Sequence, residues 1–205
     1  MDKNVIKELI KVCKRLDDKG MVNACEGNVS IKKDEYMYIT PSQKNKALLT
    51  EEMIVVIDLD TMEQVSGTYK PSSEMKLHVR AYEKRNDIAS VIHCHSPYLT
   101  SFSLRNKAIE SKSYPELMII FKTIPVAAYG RPGTNAIFDG IDSLLVDNNV
   151  VIMANHGMIC VGESAVDTMN RAEASEAIAK VVYLAEACGD IVDLPADEVD
   201  FLRNV

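Results

Sequence analysis

The chain has 205 residues, 47% of them hydrophobic, which is enough for one domain with a packed core. Its formal net charge of −7, without any basic run, disfavours a nucleic-acid-binding surface but still allows a small anionic substrate held by a metal and backbone amides. Five cysteines scattered without CxxC spacing, a charged amphipathic start in place of a signal peptide, and apolar stretches far below the roughly 20 residues of a membrane span predict a soluble, reduced, cytoplasmic protein.

The amino-terminal part of the chain is predicted to contain one helix followed by several strands. Apolar residues at helical spacing from Val5 to Leu16 indicate a helix over 2–18, which Gly20 ends. Short alternating segments on either side of a polar KKDE turn indicate a β-hairpin within 27–40. Further strands are expected at 54–59 and, more weakly, at 64–67.

The central part of the chain is predicted to alternate between helix and strand. The segment PSSEMKLHVRAYEKR, residues 71–85, is typical of a helix with Ser72 or Ser73 as N-cap. Its core-facing stripe is predicted to be Met75, Val79 and Tyr82. A strand follows at 89–95, and Ser96-Pro97 opens the next helix because proline is favoured at the first helical position.

The carboxyl-terminal part of the chain continues this alternation. We expect a strand near 123–128, a helix within 132–149, and an apolar strand at 150–154 followed by the turn NHG and the strand MICVG. The helix within 132–149 is expected to face the core with Ile137, Ile141 and Leu144 or Leu145. The last helix begins at the capping-box-like pair Ser164 and Asp167 and runs to about Cys188. The alternation predicts a three-layer α/β fold with a mixed sheet covered by helices on both faces.

Two of the four histidines, His93 and His95, flank Cys94 at the end of a predicted strand. Side chains alternate along a strand, so both histidines point to one face and Cys94 points to the other, toward the core. This is a chelating arrangement for a metal ion. The HxH pattern alone is explained equally well by two buried, hydrogen-bonded imidazoles that bind no metal.

Two more residues are candidates for the same metal site. His156 lies in ANHG at the end of an apolar strand, and Glu74 lies at the start of a predicted helix. With His93 and His95 they would make a zinc site in which one weakly held ligand leaves a position for substrate. Each residue alone also has an ordinary structural explanation. A histidine before glycine is common in turns, and a glutamate is a favourable charge at a helix N-terminus. His78, one turn after Glu74, is expected to be structural or to support a ligand.

Six segments, in matching order and spacing, resemble the class II aldolase and adducin-like family, in particular its L-fuculose-1-phosphate aldolases. These segments are GNVS (27–30), YITPS (38–42), KPSSEMKLH (70–78), ASVIHCHSPYLTS (89–101), IPVAAYGRPGT (124–134) and ANHGMICVG (154–162). The resemblance covers nearly the whole chain. It implies a single domain over residues 1–205, a central, largely antiparallel sheet, and a homotetramer with sites between subunits.

The resemblance also implies roles for individual residues. His93, His95 and His156 match the three histidine ligands of one Zn²⁺ per subunit, and Glu74 matches the carboxylate that can bind zinc at rest and acts as the catalytic base. Tyr114 matches a tyrosine that donates a proton across a subunit interface. The residues that match segments gripping the substrate phosphate are Gly27, Asn28, Ser42, Gln43, Ser72 and Ser73.

This chain departs from the family pattern in two places. Gln43 stands where the aldolases usually have glycine, which is expected to alter the approach of the backbone to the phosphate. The chain also ends at Val205, soon after the last predicted helix, so we expect it to lack most of the tail that covers the aldehyde in related aldolases.

The implied reaction is reversible cleavage of a ketose 1-phosphate, such as L-fuculose 1-phosphate or a similar deoxy sugar phosphate. The products are dihydroxyacetone phosphate and an aldehyde. Without a Schiff-base lysine, zinc stabilises the negative charge of the enediolate while a carboxylate moves a proton at the neighbouring carbon. Tyr114 would then protonate the departing aldehyde oxygen.

Alternative functions remain open within the same family. A methylthioribulose-1-phosphate dehydratase would use comparable zinc and phosphate groups, with Glu74 as base. Cleavage of 5-deoxypentose 1-phosphates would be the same reaction on another sugar. Adducin-like domains keep the fold as a binding module without metal, and the histidines and Glu74 count against that reading. Ribulose phosphate 4-epimerases typically carry Asp at the position of Glu74, which favours the aldolase.

Overall fold

The computed structural model of the protein describes residues 2–131 and 134–205. The helices are α1 (Lys3–Asp18), α2 (Met75–Lys84), α3 (Pro97–Leu104), α4 (Pro115–Ile120), α5 (Ile141–Leu145), α6 (Ala165–Cys188) and α7 (Ala196–Arg203). The strands are β1 (Asn28–Lys33), β2 (Tyr36–Ile39), β3 (Val55–Asp58), β4 (Gln64–Ser66), β5 (Ser90–Cys94), β6 (Val126–Ala127), β7 (Val150–Met153) and β8 (Gly157–Gly162). Short 3₁₀ turns cover Lys46–Leu48, Glu51–Met53 and Asn135–Phe138. No helix in the described part of the chain combines the length and the apolar character needed to cross a membrane.

The described strands form one sheet of eight strands in the order β4-β3-β2-β1-β5-β8-β7-β6. Each neighbouring pair is antiparallel except β6 and β7, which run parallel at one edge. This confirms the predicted mixed, largely antiparallel sheet. In the middle of the sheet, β1 lies beside β5 with Asn28 opposite His93 and Ser30 opposite Val91.

Helices cover both faces of the sheet, so the fold has the three predicted layers. One face packs against α1, α3, α4 and α6 and includes Ile92 and Cys94. The other face packs against α2 and α5 and includes Val91. Because side chains alternate along β5, His93 points to the same face as Val91, and Cys94 points away from it. Cys94 is fully buried in the first core, as predicted.

The predicted ends of α1 and α6 are confirmed by their hydrogen bonds. The Asp2 side chain accepts from the backbone N–H of Asn4 at 2.8 Å, and Gly20 ends the helix with φ of 66°. At the start of α6, the Ser164 hydroxyl accepts from the backbone N–H of Asp167 at 3.1 Å. The Asp167 carboxylate in turn accepts from the N–H of Glu163, the residue before the N-cap, so both side chains of the predicted pair bind backbone groups at this end of the helix.

The predicted N-cap of α2 is wrong, and full burial of its predicted core stripe is confirmed only at Tyr82. Glu74, and neither Ser72 nor Ser73, occupies the N-cap position. Ser72 lies two residues before the N-cap, where its hydroxyl accepts from the N–H of Glu74 at 3.2 Å. Met75 and Val79 are only half-buried, because the helix turns a different face to the sheet. That buried face consists of Leu77, His78, Ala81 and Tyr82.

The helix predicted within 132–149 is also wrong as a single element. Gly140 adopts φ of 88° and separates the 3₁₀ turn Asn135–Phe138 from α5. A left-handed residue cannot continue a right-handed helix, so the chain changes direction there. The predicted inward residues Ile137, Ile141 and Leu145 are nevertheless buried. Residues 132 and 133 of this prediction lie outside the described residues.

Candidate functional site

The four candidate metal ligands come from three separate parts of the fold. His93 is in β5 and His95 follows directly after the strand, which ends at Cys94 and not at His95 as predicted. His156 lies in the turn between β7 and β8, and Glu74 caps α2. Since β8 is the neighbour of β5 in the sheet, the turn that carries His156 reaches the end of β5.

The three histidines form a compact triangle. Their ring centroids are 5.0 Å apart for His93 and His95, 4.8 Å for His93 and His156, and 4.9 Å for His95 and His156. One nitrogen from each ring lies within 4.8 Å of the others, so the group could hold a metal ion. His93 is fully buried, while the other two are partly exposed.

The Glu74 carboxylate closes the open side of this triangle. Its Oε2 lies 3.3 Å from Nε2 of His93, and its Oε1 lies 3.4 Å from Nε2 of His156. Burial raises the pKa of Glu74, but the facing His93 and the amide of Asn28 outweigh it and lower the pKa from its ordinary value. Glu74 is therefore ionised at neutral pH.

The orientation of the His93 ring is set by a backbone carbonyl. Nδ1 of His93 donates to the carbonyl oxygen of Met158 at 2.8 Å, which leaves the lone pair of Nε2 directed at the other ligands. Burial lowers the pKa of His93 to about 4, so the ring is neutral at neutral pH. A neutral imidazole with a fixed tautomer is the form that binds a metal ion.

The spacing of these atoms fits a tetrahedral metal ion. Two ligand atoms that each lie about 2.0–2.1 Å from zinc at a tetrahedral angle are about 3.3–3.4 Å apart. The two distances from Glu74 match this value, and Nε2 of His93 lies 3.1 Å from Nε2 of His95. Nδ1 of His95 lies 3.8 Å from the carboxylate of Glu26. The donor set of three nitrogens and one carboxylate oxygen is also one that zinc accepts.

A buried chain of hydrogen bonds runs from the core to Glu74. Tyr82, Ser30 and His78 are linked at 2.7 Å for each step, since the Ser30 hydroxyl contacts both the Tyr82 hydroxyl and Nδ1 of His78. Nε2 of His78 contacts Oδ1 of Asn28, and Nδ2 of Asn28 donates to Oε2 of Glu74 at 2.8 Å.

The donor-to-acceptor direction of these hydrogen bonds follows from the last one, between Asn28 and Glu74. Asn28 uses its amide nitrogen as donor to Glu74, so its oxygen must accept from a protonated Nε2 of His78. Nδ1 of His78 is then an acceptor, and Ser30 donates to it while accepting from Tyr82. Burial lowers the pKa of His78 to about 3, in agreement with a neutral ring. Every donor in the chain therefore points toward the Glu74 carboxylate.

A cavity of about 180 Å³ lies beside this cluster. It is lined by all the residues predicted to grip the phosphate, namely Gly27, Asn28, Ser42, Gln43, Ser72 and Ser73, and also by Glu74, His95 and His156. The structure thus brings the candidate phosphate residues and the candidate metal ligands to one cavity. Glu26 and Lys46 line it as well, and neither was predicted.

Two residues of this cavity have left-handed backbone conformations. Gly27 has φ of 69°, and a Cβ there would lie 2.8 Å from a methyl carbon of Val22 and 3.0 Å from the carbonyl oxygen of His93. Glycine is therefore required at this close approach. Gln43 has φ of 54°, a conformation that favours glycine. The backbone at Gln43 therefore keeps the left-handed geometry despite the larger residue.

Tyr114 lies apart from this cavity. It occupies the N-cap position of α4 and is half-buried against the core formed with α1, α3 and α6. It is not among the residues that line the cavity. Its predicted role as a proton donor to the site of another subunit concerns the oligomer and stays a prediction.

Ser30 and the contact between the Asn28 and Glu74 side chains were missed because they depend on pairing between distant strands. The link from His78 to Glu74 exists because β1 places Asn28 and Ser30 on the face of the sheet that α2 covers. The register of β1 with β5 sets that placement. The alternation of polar and apolar residues in GNVSI was the available signal, since it puts Asn28 and Ser30 on the same side.

The chain is similar to known proteins along most of its length. Residues 7–183 match the family described as Class II Aldolase and Adducin N-terminal domain. The L-fuculose phosphate aldolase of Methanocaldococcus jannaschii is 37% identical over 184 residues, which cover 90% of this chain and 97% of that protein. The 5-deoxy-D-ribulose 1-phosphate aldolase of Bacillus thuringiensis serovar kurstaki is 30% identical over 202 residues, or 97% and 93% of the two chains.

The fold is likewise similar to solved structures. A structure of an L-fuculose 1-phosphate aldolase superimposes with a TM-score of 0.88 at 28% identity, covering 100% of this chain and 96% of the other. A putative aldolase/epimerase/decarboxylase, YgbL from Klebsiella pneumoniae, superimposes with a TM-score of 0.87 at 28% identity, covering 98% of each chain.

Proposed function

Because the chain belongs to the Class II Aldolase and Adducin N-terminal domain family, we propose that it is a metal-dependent aldolase acting on a ketose 1-phosphate. The products are dihydroxyacetone phosphate and an aldehyde. The observation that carries this proposal is the position of Glu74, whose carboxylate faces His93 and His156 at the wall of the cavity. An ionised carboxylate beside a cluster of three histidines suits proton transfer next to a metal-bound oxygen substrate.

We propose that His93, His95 and His156 hold a Zn²⁺ ion, with Glu74 as a further ligand when no substrate is bound. When bound, the metal acts as a Lewis acid toward the oxygens on which negative charge develops. The ligand spacing and the fixed tautomer of His93 support this assignment. We expect about one zinc per chain after reconstitution. A metal content near zero would contradict the enzyme reading and would favour an adducin-like binding module.

Glu74 is the proposed base. Asn28 donates to Oε2 of Glu74, which leaves Oε1 as the oxygen that takes the proton from the carbon next to the substrate carbonyl. The hydrogen bond also fixes the rotation of the carboxylate, so Oε1 stays directed at the space near His156. In the direction of synthesis this proton is removed from dihydroxyacetone phosphate.

The phosphate group is proposed to lie against the loops around Gly27 and Gln43 and the segment before α2. Backbone amides and the hydroxyls of Ser42, Ser72 and Ser73 suit a phosphate dianion. The side-chain amide of Asn28 is engaged with Glu74. We therefore propose that Asn28 contributes to phosphate binding through its backbone.

Tyr114 is proposed to protonate the aldehyde oxygen of a site in a neighbouring subunit. Because Tyr114 does not line the cavity of its own chain, we assign this role to the site of another subunit. This requires a homo-oligomer, for which we propose the tetramer implied by the resemblance, in the cytoplasm.

The physiological sugar has two candidates. L-fuculose 1-phosphate is favoured by the relatives of that name, and the Bacillus relative favours 5-deoxy-D-ribulose 1-phosphate. Cleavage of the first releases lactaldehyde, and cleavage of the second releases acetaldehyde. The two candidates differ only in the aldehyde half of the molecule.

One experiment tests the function and separates these candidates. The zinc-loaded protein is incubated with dihydroxyacetone phosphate and either lactaldehyde or acetaldehyde, and the products are identified by NMR. A new carbon–carbon bond with one aldehyde, lost after chelation and restored by zinc, is the expected result. Absence of any aldol product from both aldehydes would overturn the proposal. Loss of water from methylthioribulose 1-phosphate in a parallel incubation would favour the dehydratase.

A further inference from the structure

Lys46 is a buried cation in the wall of the candidate site. Only 2% of its surface is exposed. It begins a 3₁₀ turn that is capped by Asn45, whose side chain accepts from the N–H of Ala47 at 2.9 Å. This cap fixes the backbone from which the Lys46 side chain extends.

The ammonium of Lys46 has few partners for a buried charge. Nζ donates to the carbonyl oxygen of Lys44 at 2.7 Å and lies 3.5 Å from the carbonyl oxygen of Cys25, which is longer than an ordinary hydrogen bond. Among the described residues no carboxylate pairs with it. An ammonium has three donors, so its hydrogen-bonding capacity is not filled by these carbonyls.

The unpaired charge is unfavourable in the ligand-free protein. Burial lowers the pKa of Lys46 from its ordinary value. A buried charge without a counter-ion is strongly disfavoured unless some other group neutralises it. A ligand that brings negative charge to this place would therefore gain from Lys46.

The position of Lys46 indicates which ligand that is. The carbonyls that contact its ammonium belong to residues next to the two loops of the cavity, around Gly27 and Gln43. Lys46 lines the same cavity as those loops. The acidic residues that also line the cavity are engaged elsewhere: Glu26 accepts from Asn23 at 2.7 Å, and Glu74 accepts from Asn28.

We propose that Lys46 is the counter-cation of the substrate's phosphate group, an inference that rests on the proposed function for the identity of the phosphate ester. The lysine lies behind the loops whose amides and hydroxyls contact the phosphate oxygens, and its charge offsets that of the dianion. Binding also removes the penalty of the unpaired ammonium. The alternative is that Lys46 only ties the two loops together through their carbonyls.

Inorganic phosphate separates these possibilities. Its affinity for the zinc-loaded protein is measured by calorimetry for the wild type, Lys46→Met, Lys46→Arg and Lys44→Met. Methionine keeps the length of the side chain without its charge. Lys44 is the matched control because it is exposed on the same loop, and its carbonyl, which Lys46 contacts, is unchanged by the substitution.

The expected result is a loss of phosphate affinity of about tenfold or more in Lys46→Met, recovery in Lys46→Arg, and a change within about twofold in Lys44→Met. The melting temperature of ligand-free Lys46→Met should equal or exceed that of the wild type, because an uncompensated charge is removed. Phosphate should raise the melting temperature of the wild type more than that of the variant.

Unchanged phosphate affinity in Lys46→Met would overturn the inference. A lower melting temperature with unchanged affinity would in addition identify Lys46 as a tie between loops. If the wild type forms aldol products while Lys46→Met binds phosphate normally, only the inference fails. If Lys46→Met loses phosphate affinity but the wild type forms no aldol product, only the proposed function fails.

Discussion

The side-chain amide of Asn28 donates a 2.8 Å hydrogen bond to Oε2 of Glu74. This bond joins a central strand to the start of α2 and is the last step of a buried chain that begins at Tyr82. An amide donor favours the ionised form of a carboxylate and fixes its rotation. The proposed base is thus held in its proton-accepting state by the side-chain amide of Asn28.

Replacing Glu74 with Gln should stop proton transfer without removing the fold. The glutamine oxygen can still accept from Asn28, and the three histidines can still bind the metal. A well-placed general base contributes roughly 10² to 10⁴ in rate, so solvent deuterium exchange into dihydroxyacetone phosphate should fall by about that factor. NMR follows the exchange, and metal analysis provides the control. Near wild-type exchange in the metal-loaded variant would reject Glu74 as base.

The substitution His78→Leu should slow the same exchange through Asn28. Loss of the ring leaves the oxygen of Asn28 without its donor, at about 1–3 kcal/mol for a buried group, while Ser30 keeps its hydrogen bond with Tyr82. Glutamine at position 78 can supply an amide donor near the position of Nε2. We expect His78→Gln to recover kcat with little change in KM. Equal kcat in the two variants would show that the hydrogen bond does not position Glu74.

The metal-free protein should lose stability as the pH falls below about 6.5. Burial lowers the pKa of His78 from 6.5 to about 3 and that of His93 from 6.5 to about 4. The unfolded chain binds these protons first, so acid favours unfolding. Between pH 6.5 and 5 each histidine should lower the free energy of unfolding by about 2 kcal/mol. Urea unfolding with a chelator should show a shallower decline in His78→Gln, and parallel declines would contradict a neutral His78.

Tyr114→Phe should fold normally and cleave its substrate more slowly. Only a proton donor is removed, and the ring can still pack against the core at the start of α4. Proton donation contributes roughly 10² or more in rate, whereas exchange of the dihydroxyacetone phosphate proton should be spared. Comparing cleavage with exchange isolates the aldehyde side of the reaction. Unchanged cleavage kinetics would assign the proton donor to another group.

Gln43→Gly should stabilise the ligand-free protein or leave its stability unchanged. Gln43 holds φ of 54°, which costs an ordinary residue about 1 kcal/mol relative to glycine, and this gain is partly offset by the greater freedom of glycine in the unfolded chain. Phosphate affinity should not decrease, since the backbone conformation is kept. Urea unfolding measures the change. A loss above about 1 kcal/mol would mean that the Gln43 side chain makes contacts that outweigh its strain.

Local patterns were sufficient for much of the fold and for part of the site. The period of two in a strand correctly placed His93 opposite in direction to Cys94, and the end of α1 before Gly20 and the Ser164 cap of α6 followed from their own residues. The N-cap of α2 did not, because Ser72 and Ser73 are favoured N-cap residues whereas Glu74, which takes the position, is not.

Other features depend on contacts between distant parts of the chain. The helix within 132–149 breaks at Gly140, where helical periodicity continues across a left-handed residue. The burial of Lys46 depends on the packing of its 3₁₀ turn against α1, which no pattern in its own segment indicates. The approach of His156 to Glu74 likewise needs the order of strands in the sheet. The family resemblance placed His156 and Glu74 in one site where periodicity could not, but it predicted neither the break at Gly140 nor the burial of Lys46.

The register of β1 against β5 makes correct folding a condition of activity. Asn28 and Ser30 face α2 only because they lie opposite His93 and Val91. A slip by one residue would turn the apolar Val29 toward α2 and carry the polar side chains into the opposite core. Such a mispaired sheet would bury hydroxyl and amide groups without partners and leave Glu74 without its donor. The register that pairs these polar groups is therefore also the register that places Asn28 beside the proposed base. Folding of the central sheet and positioning of Glu74 occur together.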